Sequence, residues 1–182
     1  MKALKIVLIV VSSLLLIGGA GYLYASSGIK SKPGYATLAT PKGNSVNALL
    51  SVNVGPGGVK PARWLIDKVV DSSNHVPDVP ERILKSALKE LQGVQLHVYD
   101  VGSNRKVFDN AIADSMAKLK DKSWKTLATV REDDVNIAVL QFGEGAMIAG
   151  LSIMASTPEK AVFLNLVGPF DTDALANTAR HL

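Results

Sequence analysis

A stretch in the last third of the chain decides the fold: residues 124–167 read WKTLATVREDDVNIAVLQFGEGAMIAGLSIMASTPEKAVFLNLV. It contains four runs with strand-like composition, over 124–130, 135–142, 146–155 and 160–167. Each run is separated from the next by a short polar or Gly/Pro turn. Consecutive strands joined in this way pair as hairpins, so the stretch predicts an antiparallel meander.

The sequence on either side of the meander alternates between strands and helices. The predicted elements are strands over 46–54 and 94–98 and helices over 62–70, 78–91 and 104–120. Downstream, Gly168-Pro169 predicts the end of the sheet, and a final helix is expected through Arg180. Helices before and between strands, followed by hairpins, predict the α+β class, with an antiparallel meander sheet and helices packed on one face.

A second stretch decides where this domain sits. Ile6 to Ala25 is twenty residues long and carries no charge. At about 1.5 Å of helical rise per residue it matches a hydrocarbon core of about 30 Å. Lys2 and Lys5 precede it, as in an export signal or a signal-anchor. We therefore predict a single N-terminal transmembrane or signal helix within residues 1–27, which contacts the lipid bilayer through Ile6 to Ala25.

Two fates of this N-terminal segment stay open. Small residues at Gly18 and Ala20 fit cleavage after Ala20, and cleavage after Ser27 is an alternative. Tyr22 and Tyr24 instead lengthen the run and fit an interfacial aromatic belt, which favours an uncleaved anchor. Lys30 and Lys32 nearly balance Lys2 and Lys5 under the positive-inside rule, which leaves the orientation open, and the export-signal layout favours a C-terminal domain outside the cytoplasm. A cleaved chain would be secreted or periplasmic.

The rest of the chain is predicted to be a linker and one domain. Residues 28–44 are rich in Gly, Ser, Lys, Pro and Thr, which predicts a flexible linker, and residues 45–182 suit a single α+β domain. The chain has 20 Lys and Arg against 16 Asp and Glu, and four of the lysines lie in the first 34 residues, which leaves 16 against 16. A domain without net positive charge attracts phosphate backbones weakly, so no nucleic-acid partner is expected.

Candidate catalytic and metal-binding residues are few. His97 lies on a predicted strand close to Asp100, so a general base is conceivable, but no serine or carboxylate stands at a recognised catalytic spacing. The acidic run at 132–134 lacks the spacing of an EF-hand and indicates an exposed hairpin turn. The chain has no cysteine, which excludes disulfides and thiolate chemistry. We therefore predict no catalytic residue, no cofactor and no metal site.

The second half of the chain resembles a known family. The residues that carry the likeness are Leu91, Gly93, Val94, Val98 and Tyr99, then Trp124, Leu127 and Val130, and the closing run FLNLVG at 163–168. Together with the intervening helix they resemble a bacterial envelope family catalogued as domain of unknown function 4252. The resemblance implies an exported, membrane-associated small domain with no assigned activity. Many members carry a lipobox cysteine, which this chain lacks, so Ile6 to Ala25 is its evident tether.

These observations predict a membrane-anchored extracytoplasmic domain that acts as a non-catalytic binding or interaction module of the cell envelope, with an envelope protein as a possible partner. Two alternatives stay open. A small envelope hydrolase or lyase would require His97, Asp100 and another polar side chain to converge in a cleft. A lipid-binding domain would require a continuous apolar cavity between the sheet and its helices.

Overall fold

The computed structural model describes residues 24–25, 28–39, 41, 46, 48–56, 59 and 90–171. The strands in this part of the chain are β1 (Tyr24–Ala25), β2 (Ala48–Val54), β3 (Gly93–Asp100), β4 (Trp124–Glu132), β5 (Val135–Glu144), β6 (Met147–Ser156) and β7 (Lys160–Asp171). A 3-10 turn at Gly102–Asn104 leads into helix α1 (Arg105–Lys120). The strands form one sheet in the order β1-β2-β3-β7-β6-β5-β4.

The predicted meander is confirmed. β4, β5, β6 and β7 follow one another in the sheet, and each is antiparallel to the next. The turn after β4 carries Asp133 and Asp134, which are exposed as predicted. Trp124 begins β4 and is buried, with its ring centroid 5.6 Å from that of Phe142. Local alternation and short connections therefore suffice to set this half of the sheet.

The predicted break of the sheet at Gly168-Pro169 is wrong, because β7 continues through both residues to Asp171. The register gives the reason. Ile148 pairs with Phe170 and Gly150 pairs with Val167, so β7 has one residue more than β6 over this interval. Such a bulge accommodates a proline, which has no N–H to donate to the ladder.

The two upstream strands complete the sheet on the other side of β7. β3 pairs antiparallel with β7, and β2 pairs antiparallel with β3. The predicted strands over 46–54 and 94–98 are thus confirmed with shifted ends. The helices predicted over 62–70 and through Arg180 lie outside the described residues, as does nearly all of the helix over 78–91.

The predicted membrane span also lies outside the described residues, apart from its last two. Tyr24 and Ala25 form β1, which pairs in parallel with Asn53 and Val54 of β2. These two residues are therefore extended rather than helical, because they take hydrogen-bond partners from a sheet edge. Among the described residues, no helix combines the length and the apolar character needed to cross a bilayer.

Helix α1 packs on one face of the sheet, called here the helix face. Its buried residues are Phe108, Ala111, Ile112, Ser115 and Leu119, whose spacing places them on one side of the helix. Burying each of the large apolar side chains among them contributes about 1.5–3 kcal/mol. Tyr99, Leu140 and Phe163 of the sheet pack in the same cluster. An antiparallel sheet with a helix packed on it is therefore confirmed.

The segment predicted to be a flexible linker is instead packed, for its described part, on the helix face. Residues 28–39, called here the strap, include Ile29 and Ala36, which are fully buried. The Ala36 N–H donates to Asn165 Oδ1 at 2.9 Å, and Asn165 Nδ2 donates to the Gly34 carbonyl oxygen at 3.1 Å. The composition predicts a linker, in which water would pair with the backbone groups. Here the side-chain amide of Asn165 in β7 pairs with them instead.

Two glycines allow this close approach. Gly34 has a φ of +82°, and a Cβ at this position would overlap the backbone of Ala149. A Cβ on Gly150 would likewise overlap the backbone of Gly34. The strap then continues to α1, where the Ala39 N–H donates to Ser115 Oγ at 2.8 Å. The strap is therefore fixed to both the sheet and the helix.

We predict that Asn165→Leu destabilises the protein by about 2–4 kcal/mol, because it leaves two buried backbone groups of the strap without partners. The free energy of unfolding of the full chain, measured in detergent with urea, checks this. Trypsin should then also cleave faster after Lys30, whereas the Lys32–Pro33 bond resists trypsin in either state. The control is Asn110→Leu, the same substitution at an exposed position of α1. Equal losses in the two variants would contradict the role given to Asn165.

Candidate functional site

Four polar side chains meet on strands β2 and β3: Ser51, Asn53, Gln95 and His97, called here the polar cluster. Side chains alternate between the two faces of a strand, so Ser51 and Asn53 share a face, as do Gln95 and His97. The register pairs Ser51 with His97 and Asn53 with Gln95. This register brings the four together on the helix face, where Tyr99 packs against Phe108 of α1.

The hydrogen bonds of His97 fix its tautomer. Gln95 Nε2 lies 3.2 Å from His97 Nε2, and Ser51 Oγ lies 2.9 Å from His97 Nδ1. With the Gln95 amide in this orientation its nitrogen donates, so His97 Nε2 accepts and the neutral ring carries its proton on Nδ1; the flipped amide would give the opposite tautomer. Nδ1 therefore donates to Ser51 Oγ. In this arrangement the ring cannot take a proton from the Ser51 hydroxyl, as a general base would.

The surroundings favour the neutral form of this histidine. Burial lowers the pKa of His97 below its usual 6.5, because the charged ring would lose hydration. Tyr99 lies beside it on the same face, with the ring centroids 6.3 Å apart and the planes 27° from parallel. Burial also raises the pKa of Tyr99 above its usual 10.0. The cluster is thus uncharged at neutral pH.

Two acceptor atoms of the polar cluster have no hydrogen-bond partner within the described part of the chain. They are Gln95 Oε1 and Asn53 Oδ1, which are both buried and whose residues lie opposite each other in the register. An unpaired buried carbonyl oxygen costs free energy until it receives a donor. Both oxygens are shielded from solvent, so within the polar cluster it is the exposed Ser51 hydroxyl that an external group can reach. Among the described residues no group of three His, Cys, Asp or Glu side chains suits a metal ion.

The structure does not bring Asp100 to His97. The two residues stand three positions apart on β3, and side chains at that spacing point to opposite faces. Asp100 is exposed and forms an ion pair with Lys160, with 3.6 Å between Oδ2 and Nζ. The prediction of a hydrolase or lyase that combines His97 with Asp100 is therefore wrong in its geometry.

A second group of polar side chains joins α1 to the sheet. Asp109 accepts hydrogen bonds from Ser156 Oγ at 2.5 Å and from Asn136 Nδ2 at 2.9 Å. Burial alone would raise the pKa of Asp109, but these hydrogen bonds and the charges of Arg105 and Arg131 outweigh it, so the pKa lies below its usual 3.8. This group holds the helix on β5 and β6, and we assign it a structural role.

Sequence patterns point to His97 but not to the other members of the polar cluster. A signal was present, because polar residues occupy every second position of both strands: Ser51 and Asn53 on one, Gln95 and His97 on the other. The local sequence does not reveal that β2 pairs with β3. It does not reveal the register of that pair either. A shift of one residue would have placed these side chains on opposite faces.

We predict that wild-type protein loses more stability than the His97→Gln variant when the pH falls from 7.5 to 5. Below about 6.5 the unfolded chain binds a proton at His97 while the folded state resists it, so the contribution present at higher pH is lost as the pH falls through the lowered pKa. Urea unfolding of the full chain at a series of pH values measures this. Asp100→Asn, on the opposite face, should follow the wild type. Identical slopes for wild type and His97→Gln would refute the prediction.

Comparison with known proteins places the chain in one family. The model of the family described as a domain of unknown function (DUF4252) matches residues 42–178, from just after the strap to beyond the end of β7. No curated protein and no solved structure matches the chain. Because the family match covers well over half of the 182 residues, the chain belongs to the DUF4252 family, as its resemblance predicted.

Proposed function

We propose that this protein is a membrane-anchored extracytoplasmic domain that serves the cell envelope as a non-catalytic binding module. The observation that carries the proposal is the uncharged stretch from Ile6 to Ala25, whose last two residues already pair with β2 of the folded domain. Only two residues separate β1 from the strap. A domain attached in this way would sit at the bilayer surface rather than at the end of a long stalk.

The packed strap also bears on the alternative fate of the N-terminus. Cleavage after Ala20 or after Ser27 would leave the whole strap in place, because its first buried residue is Ile29. A cleaved, periplasmic form would therefore keep the contacts of Asn165 with the strap. Retention in the membrane thus has to be decided by the N-terminal segment itself, whose length favours an anchor.

The polar cluster supports binding rather than catalysis. His97 donates to Ser51 instead of accepting its proton, so the pair lacks an activated nucleophile. Of the polar cluster, Ser51 is exposed and can exchange hydrogen bonds with the amides of an envelope protein, whereas the unpaired oxygens of Gln95 and Asn53 are buried. The lipid-binding alternative stays a prediction.

We predict that the neutral ring of His97 carries its proton on Nδ1 at pH 7.5. Two-bond ¹⁵N–¹H correlation spectra of the full chain in detergent distinguish the two tautomers, and the His97→Gln spectrum identifies the signal. Gln95→Leu removes the donor to Nε2, so it should shift the population towards the Nε2–H form. If wild-type protein shows the Nε2–H form, Nδ1 is free to accept from Ser51, and the non-catalytic assignment fails.

For the attachment, we predict that a C-terminally tagged chain fractionates with membranes at full length and is degraded when protease is added to intact spheroplasts. This result follows if the uncharged stretch before β1 stays in the bilayer with the domain outside. A shortened soluble product would show cleavage and release. A protected full-length product would show the reverse orientation. A cytoplasmic marker protein serves as the control for intact spheroplasts.

A further inference from the structure

The two edges of the sheet differ in charge. β4 forms one edge and carries Lys125, Arg131 and Glu132. At the other edge the two-residue strand β1 covers only the end of β2, which reads ALLSVNV and has no charged residue. Exposed strand edges in water are normally protected by charged side chains, as β4 is. The β2 edge lacks this protection, so we expect it to contact something other than water.

Each edge also presents one exposed leucine at a bulge. Leu49 lies where the register of β2 shifts between Ala48 and Leu50, and it is 55% exposed. Leu127 lies at the corresponding shift in β4 and is 53% exposed. Leu49 and Leu127 thus match in side-chain type, exposure and local geometry, whereas their strands differ in charge. The pair is a natural comparison between the two edges.

Strand β1 gives the β2 edge a direction. It covers only Asn53 and Val54, and it runs parallel to β2, so its N-terminal end points along the edge towards Leu49. Four residues of extended chain place Leu49 about 13 Å from Asn53 in that direction. The uncharged stretch that precedes β1 is therefore joined to the sheet on the side where Leu49 is exposed.

We propose that the β2 edge, at Ala48 to Ser51, contacts the lipid bilayer and that Leu49 inserts into its interface, while the β4 edge faces water. The inference rests on the membrane attachment proposed above and adds an orientation of the domain. Strands spaced by about 4.8 Å place β4, five steps from β2 in the sheet, about 24 Å further from the surface. An apolar side chain on an uncharged edge is stabilised in the membrane interface. The charged side chains of β4 would lose hydration there.

The absence of native cysteine makes the test direct, because a single introduced cysteine is the only labelling site. Leu49→Cys and Leu127→Cys full-length chains are spin-labelled and reconstituted into vesicles of phosphatidylethanolamine and phosphatidylglycerol. Collision with oxygen, which concentrates in lipid, is compared with collision with a water-soluble nickel chelate. We expect the oxygen-to-nickel ratio to be several-fold higher at position 49 than at position 127.

Two further cysteine variants serve as controls for the two edges. Ala48→Cys, at an exposed position beside Leu49, should resemble Leu49→Cys, and Met147→Cys, 50% exposed at the start of β6, should resemble Leu127→Cys. Equal ratios at positions 49 and 127 in protein that floats with the vesicles would overturn the orientation and leave the attachment standing. Protein that does not float with the vesicles would overturn the attachment itself, and the orientation with it.

Discussion

Buried peptide groups need hydrogen-bond partners, and the side chain of Asn165 meets that need for the strap. Its oxygen accepts from Ala36 and its nitrogen donates to Gly34, so one amide in the middle of β7 replaces the partners that a neighbouring strand would supply. The strap can then lie across a sheet without joining it. The close contact of Gly34 with Gly150 follows from the same constraint, because the amide reaches the strap backbone only at short range.

The sequence predicts what is encoded locally and fails where distant partners decide. The meander from β4 to β7 is set by alternation and short turns, and α1 by the spacing of Phe108, Ile112 and Leu119. Gly168-Pro169 predicts a break, yet β7 continues through it, because a bulge depends on the neighbouring strand and is not encoded locally. The composition of the strap predicts a linker because the polar side chains that hold it, Asn165 and Ser115, lie far away in the sequence. That asparagine stands out only as an interruption of the apolar run FLNLV.

The polar cluster shows the same division between local and distant information. Strand periodicity separates His97 from Asp100, since residues three apart lie on opposite faces, and this much follows from the sequence. The partners that His97 does have depend on the pairing of β2 with β3. Gln95 is the residue that changes the chemical interpretation. Its amide nitrogen determines which ring nitrogen holds the proton, and so whether Ser51 is activated.

The strap lies outside the stretch that matches the family, which begins at residue 42. A recombinant fragment that begins at that boundary would lack the strap. The Asn165 amide would lose its hydrogen bonds to the strap, and the backbone of Gly150 would be exposed. Poor solubility of such a fragment would reflect the choice of its first residue rather than a weakness of the fold. For crystallisation or screening, the N-terminal limit belongs before Gly28.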